Sequence, residues 1–165
     1  MPLIPALILR PAAPSDRPAL VEQELLLNLF EDAIAHDRNL TRPGADAAID
    51  RLFERIAESD GTVIVADLNG AVIAHMFLVF DRMGPYVRED MRDYALVADM
   101  FVRAAHRGQG IAQALLAEAE RLATARGVPR LMIGVLSGND RAERTYQEFG
   151  FTPYALELTK SLPRG

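Results

Sequence analysis

The sequence predicts a single-domain mixed α/β fold (α+β) spanning residues 1–165, and three observations support this prediction. The length of 165 residues is close to the usual size of one domain. The composition, with 50% hydrophobic and 25% charged residues, is that of a globular protein. Segments of helical and of strand periodicity follow one another in the order β, α, α, β, β, β, α, β, α, β, with no repeat or linker between them.

The first half of the chain predicts an edge strand, two helices and a hairpin. The apolar start predicts a strand that ends near Arg10, because it carries two prolines and lacks the basic residues of a signal peptide. A capped amphipathic helix then runs to about Ala35. We expect its acidic side chains to face solvent: Glu22, Glu24, Glu31 and Asp32. A second helix ends at Ser59-Asp60-Gly61, and the hairpin turns at Asp67 to Gly70.

The second half predicts three strands and two helices. Tyr94 to Val102 has strand character, and a turn containing glycines leads from it into a strong helical pattern. A short, continuously apolar strand follows at Leu131 to Leu136. The last helix begins at about Asp140 and runs to about Phe149, and a terminal strand is predicted around Phe151 to Leu158.

Charge and residue types exclude several classes of function. The net charge is −5, so a nucleic acid partner is not expected. The chain has no cysteine, which excludes disulfides, thiol nucleophiles and thiolate zinc sites, and the spacing of His36, His75 and His106 does not match a metal site. No apolar run approaches the roughly 18 residues of a membrane span. We therefore expect no metal, no membrane partner and a cytoplasmic location.

The turn that follows Val102 has the features of an anion site. A strand that leads through glycines into a helix presents unpaired backbone N–H groups and the positive end of the helix dipole, where phosphate commonly binds. From Met100 to Ala117 the chain has basic but no acidic residues. The turn is not a P-loop, because the only lysine is Lys160, and Gln113 replaces the third glycine of a dinucleotide fingerprint. A plain tight turn between packed elements is the alternative.

Two motifs of the second half belong together. Arg107 to Ala112 reads R-x-x-G-x-A, and a pattern N-x-x-A-x-x-x-Y-x-x-x-G-F follows with Asn139, Ala142, Tyr146, Gly150 and Phe151. Both motifs, in this order, resemble the signatures of the GCN5-related N-acetyltransferases (GNAT). The order of elements resembles that fold along nearly the whole chain. The resemblance implies a mixed, mostly antiparallel central sheet with splayed central strands, flanked by about four helices.

The resemblance also implies acetyl-CoA as co-substrate, with no metal. In such a site the glycine turn holds the pyrophosphate, and the backbone N–H of Val102 polarises the thioester carbonyl. The implied cofactor-binding residues are Met100, Phe101, Val102, Arg107, Gly108, Gln109, Gly110, Ile111, Ala112, Asn139, Ala142 and Tyr146. Tyr146 matches the tyrosine that protonates the leaving thiolate, and a purely packing role is its alternative.

The base that activates the acceptor is less defined. Some relatives place a glutamate where Gly134 stands, so we expect Asp99 to be the base, with Asp81, Asp93 or a relaying water as alternatives. His75 lies in an apolar strand and is expected to be a buried core or pocket-wall histidine. An acidic side chain of the first helix that faced the acceptor pocket would favour a cationic amine.

The implied reaction is direct transfer of an acetyl group to a primary amine of a small molecule or peptide. A non-catalytic acyl-CoA-binding or sensing module is the alternative function. Dimerisation is common in proteins that the chain resembles, so a homodimer is a further expected partner, although the sequence specifies no interface. The residues do not identify the acceptor, which the early helices and the loop from Asp81 to Asp93 would bound.

Overall fold

A five-stranded sheet with the order β1-β2-β3-β4-β5 organises residues 7–163, the part of the chain that a computed structural model describes. The strands are β1 (Leu7–Pro11), β2 (Thr62–Leu68), β3 (Ala71–Arg82), β4 (Asp93–Val102) and β5 (Leu131–Ile133). The helices are α1 (Arg17–Ala35), α2 (Arg42–Ser59), α3 (Ile111–Arg126) and α4 (Asp140–Phe149). The opening apolar residues 1–6 lie outside the described residues, and the strand predicted to end near Arg10 ends at Pro11.

The sheet is mixed and mostly antiparallel, as the sequence predicted. β1 to β4 pair antiparallel, whereas β5 runs parallel to β4. β3 is buried on both faces over most of its length, because α3 covers one face with Leu115 and Leu116 while α1 and α2 cover the other with Leu20 and Ile49. Within residues 7–163, no helix combines the length and apolarity needed to cross a membrane.

β4 and β5, the last two strands of the sheet, part halfway along β4. Their pairing covers only Ala95 to Val97, and the register of β4 against β3 shifts immediately afterwards, leaving Ala98 as an extra residue. Beyond this bulge the N–H of Arg103 donates to a carbonyl of β3. Since successive strand residues point to opposite edges, the N–H and C=O of Val102 point to the edge that β5 has left. The predicted splay is confirmed, and it lies between β4 and the edge strand β5.

The predicted terminal strand at Phe151 to Leu158 is wrong. Residues 151–163 contain no helix or strand, and the side chains of Tyr154, Leu156 and Leu158 are mostly exposed. The alternation of these side chains is typical of a strand, but a strand also needs a partner edge for its backbone groups. β5 ends at Ile133, three residues earlier than expected, and Tyr154 instead stacks against the guanidinium of Arg130.

Two leucine substitutions test whether the C-terminal segment contributes to stability as the packed core does. We expect Leu115→Ala to lower the free energy of unfolding by about 2–5 kcal/mol, because this side chain is fully buried between α3 and the sheet. The matched change Leu158→Ala removes the same atoms from a side chain that is 87% exposed, and should change stability by at most about 0.5 kcal/mol. Urea unfolding of both variants measures the difference. Equal losses would mean that the terminal segment packs against the protein.

Candidate active site

A cleft of about 720 Å³ opens where β4 and β5 diverge. Its walls come from the end of β4, the start of α3, the chain after β5, α4 and the second half of α1. Almost all predicted site residues line it: Asp99, Met100, Phe101, Val102, Arg107, Gly108, Gly110, Ile111, Ala112, Asn139, Ala142 and Tyr146. Gln109 alone among them does not. The structure therefore gathers two sequence motifs and one strand around a single cavity.

The N-terminus of α3 presents free backbone N–H groups to this cleft. Gly110 precedes the helix with φ +81°, and Gly108 has φ +75°, a conformation that favours glycine. Among the described residues no side chain caps the helix, and its first turn contains no acidic residue. The amides of Ile111 and Ala112 lie in this turn and have no acceptor within the helix. Together with the helix dipole they form a site suited to an anion.

Three polar side chains of the motifs hold the backbone of this region in place. The Nε of Arg107 donates to the carbonyl of Val102 at 2.9 Å, and burial lowers the pKa of this guanidinium. The Nε2 of Gln109 turns back to the carbonyl of Ala105, and its Oε1 is buried with no hydrogen-bond partner in the described part of the chain. The Oδ1 of Asn139 accepts from the N–H of Ala142 and caps α4. Backbone amides at the glycine turn and the Nη groups of Arg107 thus remain as donors at the cleft.

A hydrogen-bonded chain leads from the core to Asp99. His75 is fully buried, and its Nε2 lies 3.0 Å from Oδ2 of Asp99, whose side chain is 9% exposed. The Nδ1 of His75 lies 2.8 Å from Oε1 of Gln23 on α1, and Nε2 of Gln23 donates to the carbonyl of Val72. The expectation that His75 is a buried histidine with polar partners agrees with these contacts. Sequence reasoning did not single out Gln23, which carries no signal apart from its place on an apolar helix face.

Glu24 is a correction to the expected solvent face of α1. This side chain is 8% exposed, because α1 turns Leu20, Gln23 and Glu24 inward. On the same helix Leu29 is about half exposed. Burial and the neighbouring carboxylate of Asp99 raise the pKa of Glu24 to about 8. Its position four residues after Leu20, on the same helix stripe, is a signal that could have revealed it. Glu31, expected on the same solvent face, also lines the cleft.

Tyr146 lies in the cleft with a protonated phenol. Burial, followed by the charges of Asp99 and Glu31, raises the pKa of Tyr146 to about 12. Its ring meets Phe151 edge-on at 6.1 Å, so this residue both packs and lines the cavity. The phenol therefore keeps its proton at neutral pH and can donate it.

The alternative bases proposed from the sequence lie elsewhere. Asp81 accepts a hydrogen bond from the hydroxyl of Tyr94, and Asp93 pairs with Arg82 at 2.7 Å. Neither aspartate lines the cleft. Of the three aspartates considered as bases, Asp99 is thus the one that lines the cleft, and Glu24 lies beside it.

Comparison with known proteins identifies the family. Residues 27–151, which carry both motifs, match the model of the Acetyltransferase (GNAT) family. The chain belongs to the GNAT acetyltransferases. Members of this family are transferases that use acetyl-CoA, and the chain is therefore an acetyltransferase by family.

Solved structures share this fold over nearly the whole length of the chain. A predicted acetyltransferase with acetyl-CoA from Clostridium acetobutylicum shares 21% identity at a TM-score of 0.73, with 93% of this chain and 96% of that chain covered. A GCN5-related N-acetyltransferase from Ralstonia eutropha JMP134 shares 21% sequence identity at a TM-score of 0.72, with 94% of this chain and 98% of that chain covered. A transcriptional regulator from Bacillus halodurans C-125 shares 19% sequence identity at a TM-score of 0.72, with 94% of this chain and 99% of that chain covered. At these identities the similarity establishes the fold alone.

Acetyl-CoA fits the chemistry of this GNAT cleft. The glycine turn offers free backbone donors to a pyrophosphate, and a Cβ added at Gly108 or Gly110 would meet no atom within 4 Å, so the space above the turn is open. Among residues 7–163 no group of three or more His, Asp or Glu side chains is arranged to hold a metal ion.

The raised pKa of Glu24 predicts a measurable pH dependence of stability. A carboxyl that binds its proton more tightly in the folded state contributes stability that is complete below its unfolded pKa of about 4.5 and is lost as the pH rises towards 8. We expect the parent to lose stability relative to Glu24→Gln between pH 5 and 8, with a slope of up to about 1.4 kcal/mol per pH unit.

Urea unfolding across this pH range measures the stability difference, and Glu120→Gln on the exposed side of α3 is the matched control. The difference between the parent and this control should stay flat with pH. A flat difference for Glu24→Gln as well would show that Glu24 is ionised at neutral pH in the folded protein.

Proposed function

We propose that this GNAT protein is an acetyl-CoA-dependent N-acetyltransferase that transfers the acetyl group directly to a primary amine of a small molecule or peptide. The observation that carries the proposal is the continuity of one cleft. Along its walls lie an anion site at the start of α3, the free edge of β4, and a pair of acid–base groups, Asp99 and Tyr146. An acyl donor with phosphates and an amine acceptor need these three features together.

The residues that would hold acetyl-CoA follow from this arrangement. The N–H groups of Gly110, Ile111 and Ala112 would bind the pyrophosphate. The free edge of β4 would pair with the amide groups of the pantetheine arm, and the N–H of Val102 would donate to the thioester oxygen. The cap formed by Asn139 and Ala142 borders the same cleft.

The acceptor amine must lose a proton before it can attack. An alkylammonium with a pKa of about 10.4 is neutral in only about one molecule in 2,500 at pH 7, which corresponds to roughly 4.6 kcal/mol. The carboxylate of Asp99 would accept this proton. Glu31 also lines the cleft, but its carboxylate pairs with Arg38 at 2.7 Å. The carboxylate of Asp99 would therefore attract an amine that arrives as a cation.

Bond exchange then requires one further proton transfer. The neutral amine nitrogen forms a C–N bond to the acetyl carbon as the C–S bond breaks. The phenol of Tyr146 donates its proton to the departing sulfur, and the phenolate takes back a proton from the new amide nitrogen. The proton that Asp99 received returns to solvent, so the products are the acetylated amine, CoA and one proton.

A non-catalytic acyl-CoA-binding module is the second candidate for the same cleft. Such a module needs the anion site but has no use for a buried carboxyl pair beside a protonated tyrosine. Asp99 and Tyr146 both line the cleft, and Glu24 lies beside Asp99, which together favour the enzyme. A homodimer, a cytoplasmic location and the lack of nucleic acid and membrane partners stay predictions.

Acetyl-CoA binding is tested by adding a negative charge to the first turn of α3. Ala112→Glu should weaken binding at least about tenfold, because the carboxylate faces the pyrophosphate, whereas the same charge at a helix N-terminus favours the fold. The control is Ala117→Glu, a change at an exposed position of the same helix. Calorimetric titration measures both. Equal affinity for the two variants would place the pyrophosphate elsewhere.

Turnover is tested by a thiol-release screen of primary amines with the parent protein and Tyr146→Phe. We expect CoA release with at least one amine, and about a hundredfold lower kcat for the variant with unchanged acetyl-CoA affinity, since phenylalanine keeps the packing against Phe151 but has no proton. Tyr154→Phe, at an exposed tyrosine, should keep the parent kcat. A full kcat for Tyr146→Phe would remove this residue from the reaction, and acetyl-CoA binding without release for any amine would favour the sensing module.

A further inference from the structure

We propose that Gln23 and His75 are positioning residues which make Asp99 and His75 a single proton-accepting pair for the acceptor amine. This inference rests on the proposed function, in which Asp99 takes the proton of the ammonium. It goes beyond that function because it assigns a role to two fully buried polar side chains that touch neither substrate. Their contacts define the position of one hydrogen and the direction of one lone pair.

The donor and acceptor of each hydrogen bond in this series follow from the backbone carbonyl of Val72, where the series begins. The carbonyl of Val72 can only accept, so the side-chain atom of Gln23 that lies 2.8 Å from it must be the NH2 group. The other atom of this amide, Oε1, is then an acceptor. The ring nitrogen Nδ1 of His75, 2.8 Å from Oε1, must therefore carry a hydrogen.

The tautomer of His75 determines what Asp99 meets. With Nδ1 protonated, a neutral ring turns the lone pair of Nε2 towards Oδ2 of Asp99, 3.0 Å away. A carboxylate oxygen and an imidazole lone pair at this distance repel each other unless one hydrogen lies between them. A proton that reaches the pair is therefore held between Nε2 and Oδ2.

This arrangement gives the proton of the ammonium a defined destination. Asp99 accepts the proton from the amine, and the pair then keeps one hydrogen between Oδ2 and the ring. The imidazolium form that shares this hydrogen is favoured by Gln23, because Oε1 accepts from the second N–H of the ring. No bond other than N–H and O–H changes, so the step balances with the amine as donor and the pair as acceptor.

The surroundings keep the ring in this orientation and limit other proton sources. The ring of His75 meets Phe77 edge-on at 5.5 Å and stacks on Phe101 at 6.2 Å. Titratable groups that act on Asp99 from other elements are Glu24 of α1 and Tyr146 of α4, and the charge of Glu31 acts on both of these. His75 itself has no exposed surface. Water therefore cannot replace Gln23 as the acceptor of the ring N–H without a rearrangement of the core.

The first test observes the ring directly and needs no acceptor. The chain contains three histidines, whose ring nitrogens can be observed by NMR of the protein labelled uniformly with nitrogen-15. The signals that are missing from the spectrum of His75→Gln belong to His75. We expect Nδ1 to carry a slowly exchanging hydrogen from pH 6 to 9, and Gln23→Met to lose that slow exchange. An unprotonated Nδ1 of His75 in the parent protein would overturn the proposed proton-accepting pair.

The second test is the pH profile of kcat/KM with an amine that the thiol-release screen identifies. We call the fall of kcat/KM on the acidic side of this profile the acid limb. We expect Gln23→Met to lower kcat/KM about tenfold. The same change should move the acid limb about one pH unit lower, because the protonated ring of His75 loses a hydrogen-bond acceptor. His75→Gln, which keeps a donor towards Asp99 but cannot titrate, should move the limb in the same direction. Asp99→Asn should remove the limb, and acetyl-CoA affinity should stay at the parent value in all three variants.

A matched core variant separates positioning from packing. Val65 is buried and faces His75 across β2 and β3, so Val65→Ala should cost stability but leave the acid limb in place. An unmoved limb in both Gln23→Met and His75→Gln would make their role purely structural and overturn the proposal. If no amine releases CoA, the proposed function fails, and the positioning role of Gln23 and His75 fails with it. An unprotonated Nδ1 of His75 in an active enzyme overturns the positioning role alone.

Discussion

The parting of β4 and β5 is the constraint on which the rest of the structure depends. Buried backbone groups normally find partners, and two strands that stop pairing halfway along leave a row of donors and acceptors without them. The bulge at Ala98 makes this separation compatible with continued pairing to β3. It also reverses the alternation of β4, so that Asp99 points to the α1 side of the sheet and Val102 presents its backbone to the gap.

The gap then receives opposite electrostatic character from the elements at its walls. At the start of α3, free amides and the helix dipole give a positive region that suits phosphate. Towards α1, Asp99 supplies an acidic group at the cleft, and burial keeps the neighbouring carboxyl of Glu24 and the phenol of Tyr146 protonated at neutral pH. In the proposed reaction, an anionic donor and a cationic acceptor would be drawn to different parts of one cavity, which would orient them relative to each other before any bond changes.

How much of the site the sequence predicted differs from one element to the next. The glycine turn and the tyrosine of α4 are encoded by local motifs, because backbone conformation at Gly110 and helix capping at Asn139 depend on neighbouring residues. The acidic wall is not encoded in this way. Whether a glutamate on an amphipathic helix faces water or a cleft depends on the angle at which the helix packs, and Glu24 turned inward against expectation.

The sequence by itself determined the fold class, the order of elements through α4 and the family, since these depend on periodicity and on two motifs with local geometry. Tertiary structure alone decided which polar residues meet. Gln23 and His75 are separated by 52 positions and come together only because α1 crosses the sheet beside β3. It also decided that residues 151–163 form no strand, because strand formation requires a neighbouring edge that the alternation of apolar side chains cannot supply.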